Sequence, residues 1–284
     1  MSKKPQRIVD CHVHLWDPAR TDWYPYLSGR QQLNMGDTTG MQRLFDVPTY
    51  ESESAGWNVE KLVNVAAATG MHSVDETLEL DGRAGVDGIV GGLPPTDSVA
   101  DAIAILDKQM QATKFRGVRP MGQFTDPLPA AEVLRALAER GLVFELMART
   151  DALETAARGL SGHEELTVVV EHTGWPRSAD ADEFVLWRKG IDALAASGEN
   201  VVCKLSGLAM PLGSMSPGAY RRWIDHAIAA FGVDRCLFAS NFPVDGMHGT
   251  LDELFTTFSE LTVALEDADR DKLFAANAER VYRI

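Results

Sequence analysis

Near the start of the chain, Asp10-Cys11-His12-Val13-His14-Leu15-Trp16 sets two imidazoles two positions apart, directly after the apolar pair Ile8-Val9. In an extended strand alternate side chains share a face, so His12 and His14 are expected to point the same way. Imidazoles side by side at a strand's end can hold a metal ion or line a polar pocket. Further ionisable or polar groups recur along the chain: Arg119 in Phe115-Arg116-Gly117-Val118-Arg119, Glu145 in Leu142-Val143-Phe144-Glu145-Leu146, and His172 in Val169-Val170-Glu171-His172-Thr173-Gly174. Lys204 follows in Cys203-Lys204-Leu205-Ser206, then Asn241 and Asp245 in Ala239-Ser240-Asn241-Phe242-Pro243-Val244-Asp245. Histidines and carboxylates serve as acids and bases, and Arg captures carboxylates through two parallel N–H groups. Glu145 is opposite in parity to Phe144 and Leu146, so it faces the interior of a barrel if those two pack on helices. His72, His163, His226 and His248 fall in loops or helical stretches and are expected in solvent, with His248 near enough to an eighth strand to reach a pocket rim.

The elements that must position these groups are eight short, β-branched runs over residues 7–15, 62–68, 88–93, 115–121, 142–148, 167–174, 200–207 and 236–243. Between them lie stretches with helical spacing, 98–111, 130–140, 181–196, 217–231 and 251–265, several opened by cap-like Ser, Thr or Asp. Strand–helix alternation is the pattern of parallel βαβ units, and eight of them can close into a (β/α)8 TIM-like barrel. An open doubly wound sheet would carry a GxGxxG turn; Gly88-Ile89-Val90-Gly91-Gly92 lacks that spacing. The expectation is one α/β domain over residues 1–284, with a long loop insertion after strand one. That insertion, residues 17–57, contains Trp23, Tyr24, Tyr26, Phe45 and Tyr50, which favour an ordered lid. In such barrels the site lies at the C-terminal ends of the strands. Charged groups are seldom buried unpaired, because desolvation is costly, so ionisable residues at five strand ends point to one shared pocket.

Composition narrows the partners. The net charge of −14 leaves no basic cluster for a nucleic-acid backbone, and no apolar window approaches a membrane span. Cys11, Cys203 and Cys236 show no CxxC spacing and sit in apolar runs, which argues against a disulfide framework or a Cys-based zinc site and suits a reducing cytoplasm. The partner expected is a small, anionic substrate; nothing in the chain encodes an oligomeric state.

Asp10-Cys11-His12-Val13-His14-Leu15-Trp16-Asp17, Glu171-His172-Thr173-Gly174-Trp175-Pro176, Cys203-Lys204-Leu205-Ser206-Gly207-Leu208, Ser240-Asn241-Phe242-Pro243-Val244-Asp245 and Asn277-Ala278-Glu279-Arg280-Val281-Tyr282 together resemble the amidohydrolase superfamily. The resemblance is nearest to the amidohydrolase family 2 group, which includes 2-pyrone-4,6-dicarboxylate lactonase, fuconolactonase and rhamnonolactonase. It implies a hydrolase that opens a small carboxylated or sugar-derived lactone. It also implies His12, His14 and His172 as metal ligands, with zinc the foremost ion, or as groups that polarise the carbonyl directly. Arg119 and Lys204 match the substrate-carboxylate contacts, and Trp16 and Trp175 would close over the ligand. One departure stands out. Where the superfamily carries an Asp that binds metal and takes a proton from water, this chain has Asn241, a neutral amide that is no base near pH 7. A metal-independent route is therefore open, with Asp245, Glu145 or neutral His172 as the base. The same barrel also resembles that of decarboxylases, so a lyase is the alternative activity, and a barrel that only binds its ligand is a third.

Overall fold

The computed structural model describes residues 3–29, 37–121 and 125–284. Eight parallel strands, β1 (Ile8–Val13), β2 (Val59–Val65), β3 (Gly88–Leu93), β4 (Phe115–Pro120), β5 (Val143–Leu146), β6 (Val168–Val170), β7 (Val201–Leu205) and β8 (Cys236–Phe238), pair in sequence order. The seam between the last strand and the first is closed just beyond β8. There the Asn241 N–H donates to the His12 carbonyl and the His14 N–H to the Phe242 carbonyl, both at 2.8 Å. Helices α1 (Val47–Glu53), α2 (His72–Asp81), α3 (Val99–Gln109), α4 (Ala131–Glu139), α5 (Leu153–Gly159), α6 (Ala181–Ala196), α7 (Ala209–Leu212), α8 (Pro217–Phe231), α9 (Leu251–Leu261), α10 (Asp267–Asp271) and α11 (Asn277–Tyr282) complete a (β/α)8 barrel. Among the described residues, no helix is long and apolar enough to cross a membrane.

Strands buried on both faces need apolar side chains on both, and this explains the runs of Val. Val9, Val63, Val143, Val169 and Val202 fill the lumen, where Ala278, Val281 and Tyr282 of α11 plug the end away from the histidines. Local signals start the helices where the sequence places them. Ser98 accepts from the Asp101 N–H, Ser216 from the Ala219 N–H ahead of Pro217, and Thr250 forms a reciprocal capping box with Glu253. In β3 glycine at 91 leaves room for a buried amide, because a Cβ there would lie 1.9 Å from Gln109 Oε1. Gln109 is fixed by the Thr77 hydroxyl, which donates to it at 2.8 Å, and by its own donation to the Gly92 carbonyl at 3.1 Å.

Strands six and eight are shorter than the apolar runs suggest. Residues 171–174 and 239–243 leave extended geometry, with His172 (φ 51°), Thr173 (φ 55°) and Asn241 (φ 56°) in the left-handed region. The insertion after β1 is ordered where described: Trp16 bridges to Phe45, Asp46 caps α1, and Trp16, Tyr24 and Phe45 are buried. Residues 30–36 of this insertion lie outside the described residues. The three cysteines are buried and unpaired.

Candidate active site

Three imidazoles converge at the C-terminal ends of the strands. The His12 ring centroid lies 4.9 Å from that of His14 and 4.6 Å from that of His172. The register of β1 on β2 shifts between Asp10 and Val13, and His12 turns toward the lumen beside Cys11. His14 donates from Nδ1 to the Val65 carbonyl at 2.8 Å, since a carbonyl can only accept, and its ring stacks on Trp16. His172 is turned inward by its own left-handed backbone; its Nδ1 lies 3.1 Å from the Ser206 hydroxyl. Gly207, at φ 67°, makes room for that ring, because a Cβ there would meet it at 2.6 Å.

Above the rings is a cavity of about 140 Å³ whose polar wall is His14, Arg119, His172 and Asn241. Its apolar wall includes Trp16, Trp175, Met41, Met147, Met210 and Val244. The sequence-derived residues Arg119, Trp16 and Trp175 thus reach the cavity. Lys204, Glu145 and Asp245 do not. Glu145 faces the lumen, as its parity requires, but it and Lys204 are fully buried below the cavity, joined by contacts of 2.6 and 2.7 Å to both carboxylate oxygens. Tyr282 also donates to Glu145. A buried ammonium and carboxylate relieve their desolvation by pairing, so Lys204 and Glu145, expected as a substrate contact and a base, here engage each other. Asp245 is buried behind Asn241, accepting from the amide Nδ2 at 2.8 Å.

Glu171 is the group the sequence reading passed over. Strand alternation would send neighbours 171 and 172 to opposite faces, but the left-handed turn at His172 brings both inward. The Oε2 atom of Glu171 is 3.4 Å from Arg119 Nη1 and 3.8 Å from His172 Nε2. Among the described residues, its Oε1, the Nε2 of His12 and the Nε of Arg119 are buried without a hydrogen-bond partner. Two adjacent polar residues at the end of a strand, Glu171-His172, were the only signal available in the sequence. His72 and His226 sit elsewhere, paired with Asp75 and Asp192.

Burial dominates the electrostatics. It drives the pKa of His12 and His172 well below the ordinary histidine value, helped by Lys204 at His12 and by Arg119 at His172. His14 is pushed down to about 3 by burial and then by Arg119. All three imidazoles are neutral near pH 7. Burial lifts Glu171 to about 8 although Arg119 opposes the rise, and lifts Asp245 to about 7 against the Asn241 hydrogen bond. Desolvation, joined by the neighbouring Glu145 carboxylate, therefore outweighs the guanidinium at Glu171.

The ligand atoms of His12, Glu171 and His172 lie within 4.8 Å of one another, a grouping that could hold a metal ion. By spacing the three fit; by hydrogen bonding His12 does not. A ligating imidazole gives its other N–H to an acceptor, whereas the other nitrogen of His12 faces the Lys204 ammonium at 3.3 Å, which can accept nothing.

Known proteins share this arrangement of strands and sequence. The Amidohydro_2 family, described as amidohydrolase, matches residues 9–284. An uncharacterized protein of Sinorhizobium fredii, y4mH, is 32% identical over 98% of each chain. The L-fucono-1,5-lactonase of Burkholderia multivorans is 27% identical, covering 97% of this chain and 96% of its own. Among solved structures, a zinc-bound amidohydrolase from Burkholderia multivorans superposes with a TM-score of 0.79 at 24% identity, over 98% of this chain and 99% of its own. With the histidine cluster at the strand ends and a family match that spans the barrel, this chain belongs to the amidohydrolase family.

Proposed function

We propose that this protein opens a small, anionic lactone by water attack. The observation that carries the proposal is the pair of unpartnered buried atoms, His12 Nε2 and Glu171 Oε1, in one cluster beneath a mostly apolar cavity that has Arg119 in its wall. Unsatisfied buried polar atoms are costly and mark a place completed by a ligand or water. Trp16 and Trp175 offer flat surfaces to a ring, and Arg119 offers its unpartnered N–H to a carboxylate. A neutral imidazole polarises the lactone carbonyl. Glu171 takes a proton as the water oxygen bonds to the carbonyl carbon, then returns it to the ring oxygen as the ester bond breaks. A carboxyl group lifted to about 8 by its surroundings suits both halves of that transfer near neutral pH. The lactonase relative supports the same reaction class.

The test is a panel of lactones, with and without a carboxylate, in weakly buffered indicator solution, where ring opening releases acid. With a substrate found, His12→Ala and Glu171→Gln should each lower kcat/KM by about 10²-fold or more. Near-normal rates in both variants would sink the proposal. Carbon dioxide release from an aromatic acid would replace it with a decarboxylase, and tight binding without turnover with a ligand-binding barrel.

A further inference from the structure

We propose that Lys204, anchored by Glu145 and Tyr282, fixes His12 as the tautomer with its proton on Nε2, so that His12 presents a hydrogen-bond donor to the buried cluster with Glu171 and His172 beneath the cavity and does not serve as a metal ligand. The lactone reading enters only in naming what that donor meets, a carbonyl oxygen.

The ammonium of Lys204 has three protons and no lone pair. Two are directed to Glu145, at 2.6 and 2.7 Å from its oxygens, and the remaining near contact is His12 Nδ1 at 3.3 Å. Nδ1 must therefore be the unprotonated nitrogen, and a neutral ring then carries its proton on Nε2. The opposite tautomer would need an acceptor for an Nδ1 proton. The nearest carboxylate oxygen, Glu145 Oε2, is 3.9 Å away, outside hydrogen-bond range, and is already engaged by Lys204. Tyr282 donates to the other oxygen of Glu145, so the carboxylate is held from the plugged end of the barrel, and all of these side chains are fully buried. Lys204 acts here as a positioning residue; it touches no ligand.

His14 is fixed the other way. It gives its Nδ1 proton to the Val65 carbonyl and is left with a lone pair on Nε2. The two imidazoles of the His-Val-His motif thus carry opposite tautomers: His14 supplies an acceptor and His12 a donor. A metal ion bridging the pair would need lone pairs on both.

The experiment reads tautomers directly in the full chain, ligand-free, labelled with ¹⁵N in its imidazole rings. Two-bond ¹H–¹⁵N correlation spectra, assigned through loss of signals in His12→Asn and His14→Asn, should show protonated Nε2 for His12 and protonated Nδ1 for His14. One equivalent of zinc should leave the His12 pattern in place. In Lys204→Met, which removes the donor and leaves Glu145 free to accept an Nδ1 proton, the His12 pattern should move toward the other tautomer and zinc should bind about tenfold tighter or more. Lys204→Arg, which keeps a donor without an acceptor, should preserve the wild-type pattern. A protonated Nδ1 on His12 in the wild type, zinc displacing the His12 signals, or an unchanged pattern in folded Lys204→Met would overturn the proposal. These spectra need no substrate, so their failure leaves the lactone reading standing, and absence of lactone turnover leaves the tautomer assignment standing.

Discussion

Replacing Lys204 with methionine should be among the most damaging single substitutions in the barrel. The ammonium is fully buried and touches both oxygens of Glu145. Its loss leaves a carboxylate in a lumen of Val9, Val143, Val169 and Val202, held by the Tyr282 hydroxyl. Removing one partner of a buried pair costs about 3–5 kcal/mol, a large share of the roughly 5–15 kcal/mol that holds a domain together. Adding Glu145→Leu removes the stranded charge and fills the space with an apolar side chain. The double variant should therefore recover most of the loss, because apolar replacements of buried pairs are often neutral or stabilising. Urea unfolding followed by tryptophan fluorescence measures all members of the cycle. A single-variant cost below about 1 kcal/mol, or a double variant as unstable as the sum of the singles, would refute the account.

Three other outcomes follow from the geometry. Asn241→Asp places a second carboxylate against Asp245, across a contact now 2.8 Å long. Like charges this close keep one of the pair protonated; its folded pKa rises above the unfolded value, so stability is retained at low pH and lost as pH rises. Melts should show the variant falling behind wild type by about 1–3 kcal/mol more at pH 8 than at pH 5, and equal pH profiles would contradict this. Glu76, buried on α2 against the backbone just beyond β2, is lifted to about 7 by burial in spite of hydrogen bonds from Tyr24, Ala67 and Ala68. Its contribution is full below the unfolded pKa and is lost as pH climbs to 7, amounting to about 3 kcal/mol; Glu76→Gln should flatten that slope in unfolding titrations, and an unaltered slope would be evidence against it. Gly91→Ala pushes a methyl into Gln109 and Thr77 and should cost about 1–3 kcal/mol; an unchanged melting temperature would show that α3 can shift to accept it.

The barrel was legible because its signals are local. Val-rich runs and capped helices such as α8 and α9 need no knowledge of the rest of the chain, and the parity of Glu145 gave its direction correctly. The site was legible in part. His14, His172, Arg119 and Asn241 meet around one cavity, with the His12 ring packed against the other two imidazoles beneath it, because each stands at a strand end. What sequence could not supply was pairing across the lumen. Lys204 and Glu145 have the chemistry of a substrate clamp and a base, but they satisfy each other, and only three-dimensional neighbours decide that. Glu171 was hidden for a different reason: the period-two rule holds only while the strand lasts, and β6 ends at Val170.

The plugged, seamed barrel also bears on how the chain reaches its working form. Ser240 and His12 meet across 228 positions, Lys204 and His12 across 192, and Tyr282 reaches back 137 residues to Glu145. Contacts of such long range form late and slow folding, since loop closure precedes their reward. Until β8 arrives, β1 is an open edge able to pair with other chains, and its histidine has neither a fixed proton nor a neighbour to donate to. The histidine cluster should thus assemble in refolding with closure of the seam, well after the helices, and crowding of half-made chains should be the main hazard on the way.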